Sequence, residues 1–171
     1  MCLESLREFL AYTTKIHKKV SDMIVNYNIF LRKIEGLSLH PDSFRRLAGL
    51  MSIKQLVSQS ILQPNLLKKL FFDICYFFFV LVRTNDRQNG DNHSNDCQIF
   101  CEDIFNKLKY IIEKYSSLFL GYKDDMAKFE DAEDFTKHLQ KNLFVPETNL
   151  RNYSLRLWLL VTREKSELLS R

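Results

Sequence analysis

Apolar positions recur every seventh residue at the start of the chain. Leu6, Thr13, Val20, Tyr27 and Ile34 form one series, and Leu10, His17, Ile24 and Leu31 form a second, offset by four. A third series, Phe9, Ile16, Met23 and Phe30, widens the seam to three positions in seven. A strict two-position seam suits a two-stranded coiled coil, whereas this wider stripe suits a helix lying on a globular core. The pattern predicts a helix from about Leu3 to Glu35, roughly 50 Å long at about 1.5 Å per residue. Gly36 follows, a residue suited to a left-handed cap.

Beyond the link Leu37–His40, Pro41 fits the first turn of a second helix. Its apolar positions Phe44, Leu47, Leu50, Met51 and Leu56 drift out of register near Ser52. Ser52-Ile53-Lys54-Gln55 has the form of a capping box, which leaves two readings open, one helix or two short ones. Pro64 opens the next helix, predicted to run to Arg83. With Phe71, Phe72, Phe77, Phe78 and Phe79 it is apolar on every side. A helix without a polar face must be surrounded, so this one is expected at the centre of the domain.

Residues 84–96 (TNDRQNGDNHSND) predict a flexible polar loop. Heptad order returns from Asp96 to Leu120, with Cys97, Ile104, Ile111 and Leu118 in one series. Cys101, Leu108 and Tyr115 form a second, and Phe105, Ile112 and Phe119 a third. Gly121 is expected to end this helix as Gly36 ends the first. A further helix is predicted from Lys123 to about Leu143, acidic at its start and basic at its end, as the helix dipole favours. Pro146 breaks it, and a last helix runs from about Thr148 to the end of the sequence.

The last helix carries two apolar stripes. Leu150, Tyr153, Leu157, Leu160, Val161 and Leu168 make one, and Leu155, Trp158, Leu159 and Leu169 make another on the neighbouring face. One stripe is enough to seat a peripheral helix. The second, bearing the chain's single Trp, implies either flanking helices on both sides or a docked partner.

Composition agrees with a helical reading. The 171 residues contain 4 Gly and 3 Pro, roughly a third of the ordinary share of about 12%, so turns are scarce. Gly36 and Gly49 are the nearest pair of glycines, which excludes a glycine-rich phosphate loop. No period of 20–50 residues repeats, which argues against a solenoid. The expected fold is all-α: one domain spanning residues 1–171, an irregular bundle of five to six helices around the central Phe-rich helix.

Charge and candidate chemistry narrow the function classes. Residues 1–83 carry 12 Lys/Arg against 6 Asp/Glu, and residues 84–171 carry 13 against 15. The basic doublets Lys18-Lys19, Arg32-Lys33 and Arg45-Arg46 form a candidate phosphate-contacting patch, with Lys68-Lys69 as a fourth doublet. No nucleic-acid fingerprint accompanies them, so only weak, salt-sensitive contacts are expected. The longest apolar run, Leu70 to Val82, is interrupted by Asp73. It falls short of the roughly 20 residues a span needs, so no membrane insertion is expected.

His93, Cys97 and Cys101 have helical spacing but lack a fourth zinc ligand, and both cysteines sit on the apolar seam. An EF-hand register on Gly90 would place Arg87 at a cation-ligand position, which defeats a calcium reading. His17 reads as a core histidine, Asp134 and His138 as a helix-surface pair, and Asp73 as a carboxylate paired with Lys69. No catalytic, metal or cofactor site is expected.

With no basic and apolar leader at Met1-Cys2-Leu3-Glu4, and with Cys2, Cys75, Cys97 and Cys101 read as reduced thiols, an intracellular protein is expected. The sequence favours a non-enzymatic interaction module, an adaptor or scaffold subunit that binds a partner helix or peptide through Leu155, Trp158, Leu159 and Leu169. The alternatives are a secreted four-helix cytokine-like bundle and a weakly basic nucleic-acid adaptor. The sequons Asn92-His93-Ser94 and Asn152-Tyr153-Ser154 are compatible with the former.

Overall fold

The apolar run around Phe71 is a helix that every other helix touches. A computed structural model describes residues 8, 11–12, 20–60, 64–88, 94–123 and 127–170. Its helices, in chain order, are α1 (Val20–Ser38), α2 (Ser43–Ser60), α3 (Pro64–Arg87), α4 (Ser94–Phe119), α5 (Ala132–Asn142) and α6 (Thr148–Leu169). No strand occurs among the described residues, so the fold is an all-α bundle, as its periodicity implies.

Helix α3 packs on α1, α2, α4 and α6 and meets α5 through aromatic rings. From Leu67 to Val82 its Leu, Ile, Phe and Cys side chains are all buried. Phe71 stacks on Phe119 of α4 at 4.2 Å between ring centroids, and meets Phe135 of α5 edge-on at 6.1 Å. Each ring withdrawn from water contributes about 1.5–3 kcal/mol, so this aromatic cluster is the main cohesive element of the bundle. The seams read from the sequence face it: Tyr27, Phe30, Leu31 and Ile34 on α1, and Cys97, Cys101, Ile104, Leu108 and Ile111 on α4, are buried.

Several expected boundaries shift, each for a local reason. Helix α1 runs through Gly36 to Ser38, and no glycine among the described residues adopts a positive φ, so neither Gly36 nor Gly121 is a left-handed cap. Pro41 precedes the second helix; Asp42 starts it, its Oδ1 accepting the N–H groups of Phe44 and Arg45. The capping box at Ser52 does not divide α2. Ser52 Oγ donates to the Ala48 carbonyl at 2.7 Å, so the hydroxyl is satisfied within a continuous helix.

The expected loop 84–96 is shorter, because α3 continues to Arg87 and α4 begins at Ser94. Asn85, Asp86 and Arg87 stay helical through bonds to α2 and α6. Residues 89–93 lie outside the described residues. The helix expected from Lys123 starts only at Ala132. Asp131 caps it by accepting from the N–H groups of Glu133 and Asp134, while Asp73 Oδ1 of α3 accepts the Lys128 N–H at 2.8 Å. Phe129 is buried, and its ring approaches Phe135 and Tyr76. These ties hold the approach to α5 in a non-helical path.

The turn between α1 and α2, the end of α3 and the turn between α5 and α6 meet at one end of the bundle. Arg46 Nε donates to Asn85 Oδ1 at 2.9 Å, and its Nη1 donates to the His40 and Pro41 carbonyls. Arg83 Nη2 donates to Asn142 Oδ1 at 3.2 Å, and Asn142 Nδ2 donates to Ser154 Oγ at 3.2 Å. Arg87 pairs with Glu147. Among the described residues no helix is long and apolar enough to cross a membrane.

Candidate partner-binding face

Helix α6 completes the core with one stripe and shows another to solvent. Leu150, Tyr153, Leu157, Leu160 and Val161 are buried. On the neighbouring face Leu155 is 43% exposed, Leu159 56% and Leu169 82%. Trp158 lies at the edge, half-buried and packed against the core. At about 100° per residue the outer stripe runs Leu155, Leu159, Thr162, Ser166, Leu169, apolar at both ends with small hydroxyl residues between. The stripe was legible in the sequence; the inward lean of Trp158 was not, since it depends on neighbouring helices.

Charged groups on α4 and α6 border one side of the stripe. Arg156 donates to both carboxylate oxygens of Glu102, at 3.1 and 3.3 Å, and its guanidinium lies 3.9 Å from the centroid of the Phe105 ring. Such a fork on a carboxylate, stacked on an aromatic face, sets the rotation of α6 against α4. Further along, Arg163 pairs with Glu113 at 3.5 Å and with Glu164 at 3.0 Å. Glu164 is buried and also accepts from Ser116 Oγ at 3.4 Å. Just before that contact α4 is kinked at Tyr115, whose φ and ψ of −124° and 19° leave the helical region. A shallow depression of about 150 Å³ lies there, lined by Glu113, Ser116, Ser117, Glu164 and Glu167 among others.

The start of α6 is capped from another helix. Glu147 precedes it but makes no side-chain cap. Asp86 of α3 supplies the acceptors instead: Oδ2 takes the Leu150 N–H at 3.0 Å and Oδ1 takes Asn149 Nδ2 at 2.7 Å. Burial alone would raise the Glu147 carboxyl; the hydrogen bond and charge of Arg87 outweigh it and hold the group below its ordinary value.

The basic doublets are placed only in part. Lys18 and Lys19 lie outside the described residues, as do His17 and His93. Arg32, Lys33 and Arg45 are exposed. Arg46 is only 2% exposed and is bonded inward, so it cannot join a surface patch with Arg45. Side chains adjacent in a helix point about 100° apart, which is how Arg45 and Arg46 divide between solvent and core.

The remaining candidates serve packing. Cys75 and Cys101 are free and buried, Cys97 is buried, and burial pushes the Cys75 and Cys101 thiols well above their ordinary value. No group of three or more metal-ligating side chains is found among the described residues. His138 is half-buried against Phe129, at 4.8 Å between ring centroids, and Phe79, at 5.9 Å. Burial and the charge of Arg83 hold its imidazole below the ordinary 6.5, with Asp134 pulling the other way. The pair read from sequence as a surface feature is thus half of an aromatic contact. Sequence reasoning gave no warning of Leu39, Phe44 and Phe144, which are exposed at the shared end of the bundle. Comparison with family models, curated proteins and solved structures finds no match to this chain.

Proposed function

We propose that the protein is a non-enzymatic helical interaction module whose α6 receives an amphipathic helix or peptide of another protein. The observation that carries this reading is the surplus of apolar surface on α6. Its inner stripe already closes the core, yet Leu155 and Leu159 stand one turn apart in water. A partner helix laid along α6 would cover both, pass closely over Thr162 and Ser166, and end on Leu169. The ion pairs Arg156–Glu102 and Arg163–Glu113 form a polar rim beside the stripe, which would set register more than affinity.

The free, buried thiols of Cys75 on α3 and Cys101 on α4 support an intracellular setting over the secreted cytokine-like alternative. The inward Arg46 weakens the nucleic-acid alternative, because it removes one cation from the candidate patch.

The test uses Leu155→Asp/Leu159→Asp, since both side chains are exposed and the fold should tolerate the change. Truncating Trp158 would also disturb the core and is the poorer probe. Partners captured from cells by proximity labelling are reconstituted with the purified protein. Binding is expected to fall more than tenfold, because two anchors of about 1–2 kcal/mol each are lost, while the melting temperature stays within a degree or two. Unchanged binding of every reconstituted partner by the folded double variant would sink the reading.

A further inference from the structure

Three large apolar side chains stand in water at the end of the bundle where the α1–α2 and α5–α6 turns meet. Leu39 is 61% exposed, Phe44 63% and Phe144 89%. Leu39 and Phe144 sit in the turns and Phe44 in the first turn of α2. The network joining Arg46 to Asn85 and Arg87 to Glu147 holds the two turns on the same end of α3. Their common placement therefore comes from the folded bundle and not from sequence proximity.

Charges of both signs at this end take part in internal bonds. Its carboxylates are turned to internal tasks: Asp42 caps α2, Asp86 caps α6, and Glu147 pairs with Arg87. Arg46, Arg83 and Arg87 are bonded within the bundle as well, whereas Lys141 and Arg45 face solvent. Lys141, in the last turn of α5, is exposed and makes no ion pair among the described residues. Arg45 is exposed beside Phe44, and its Nη1 lies 3.0 Å from the His40 ring nitrogen. Arg32 and Lys33, also exposed, lie within about two turns of the same end of α1.

We infer that this end of the bundle docks on an anionic phospholipid surface. Phe44, Phe144 and Leu39 enter the headgroup layer, and Arg45 and Lys141 meet lipid phosphates. Separate apolar tips on two turns form no groove for a helix, whereas a lipid surface deforms around each of them. Cations beside the tips match a negative leaflet, and shallow insertion plus electrostatic attraction is the usual pairing for reversible surface binding. No helix needs to leave the bundle. The surface is separate from the outer stripe of α6, so the two readings stand or fall apart.

Flotation of the purified chain with phosphatidylcholine vesicles, with and without about 30% phosphatidylserine, tests this. Binding is expected on the anionic vesicles and not on the neutral ones, and it should weaken as salt rises from about 50 to about 500 mM. Phe44→Ser/Phe144→Ser and Arg45→Glu/Lys141→Glu should each lower the partition by more than about tenfold, with helical content and melting temperature unchanged. Leu159→Asp should bind vesicles like the parent. No flotation at low salt, equal flotation on neutral vesicles, or full binding by the folded Phe double variant would overturn the inference. So would a dimer abolished by the Phe changes, or duplex DNA binding that only the charge reversals remove, if the vesicles bind nothing.

Discussion

Gly36 and Gly49 both lie inside helices, yet a methyl group has opposite consequences at the two positions. A Cβ at Gly36 meets nothing within 4 Å, so Gly36→Ala replaces the poorer helix former in open space. It should raise stability by about 0.5 kcal/mol, less than the full propensity difference because the helix ends two residues later. A Cβ at Gly49 would come within 3.3 Å of Leu81 Cδ2 and 3.4 Å of Leu37 Cβ. Leu81 is fully buried and Leu37 Cβ is fixed to the α1 backbone, so Gly49→Ala should lose its propensity gain to crowding. Urea melts of the two variants check this: a clear gain at Gly49 would show the three-helix contact to be looser than described. The same absence of slack appears at Arg46. Arg46→Ala would leave Asn85 Oδ1 and the His40 and Pro41 carbonyls without that donor, at a cost of about 3 kcal/mol. Arg45→Ala, on the exposed side, should stay within about 0.5 kcal/mol.

Among the elements, α5 is the shortest, and His138 makes its attachment sensitive to pH. The imidazole packs on Phe79 of α3 and on Phe129. Burial and the nearby Arg83, with Lys141 adding to it, depress its pKa, while Asp134 opposes them. The unfolded chain therefore takes up the proton first as pH falls. This contribution is complete above the ordinary value of 6.5 and is lost as pH drops toward the depressed folded value. Between pH 7.5 and 5.5, the parent should lose more stability than His138→Phe, and hydrogen exchange in α5 should quicken first. Equal slopes for the two proteins would contradict the burial argument.

Periodicity made the elements legible where apolar residues face one core. The buried faces of α1 and α4, the central place of α3 and both stripes of α6 follow from spacing alone. It failed at Thr84–Arg87 and Ala127–Asp131, where the deciding partners are more than fifty residues away in the chain. Polar residues such as Asn85 and Asp86 read as loop because composition cannot display a distant acceptor or donor. Leu39, Phe44 and Phe144 escaped for the same reason: which turns share one end is a property of the folded bundle.

At the scale of the whole molecule, that end is also where the first and last helices are tied together. The α1–α2 turn reaches α3 through Arg46 and Asn85, and α6 reaches it through Asp86 and the Arg87–Glu147 pair. Asp86 is the informative member, because it caps a helix other than its own. Asp86→Ala removes the acceptor of the Leu150 N–H and of Asn149 Nδ2. Loss of a helix cap costs about 1–2 kcal/mol, here at a partly buried site where water replaces the carboxylate poorly. The Arg87–Glu147 pair should give less, since Arg87 is largely exposed and its charge is screened. Because Asp86 acts between helices, its loss should show as faster amide exchange in the first turn of α6 while the lower half of α3 stays protected. Asp86→Asn retains one acceptor oxygen and should recover part of the stability. If Asp86→Ala instead quickened exchange only at the end of α3 and left Leu150 protected, the start of α6 would be held by its apolar stripe alone, and the trans cap would be incidental.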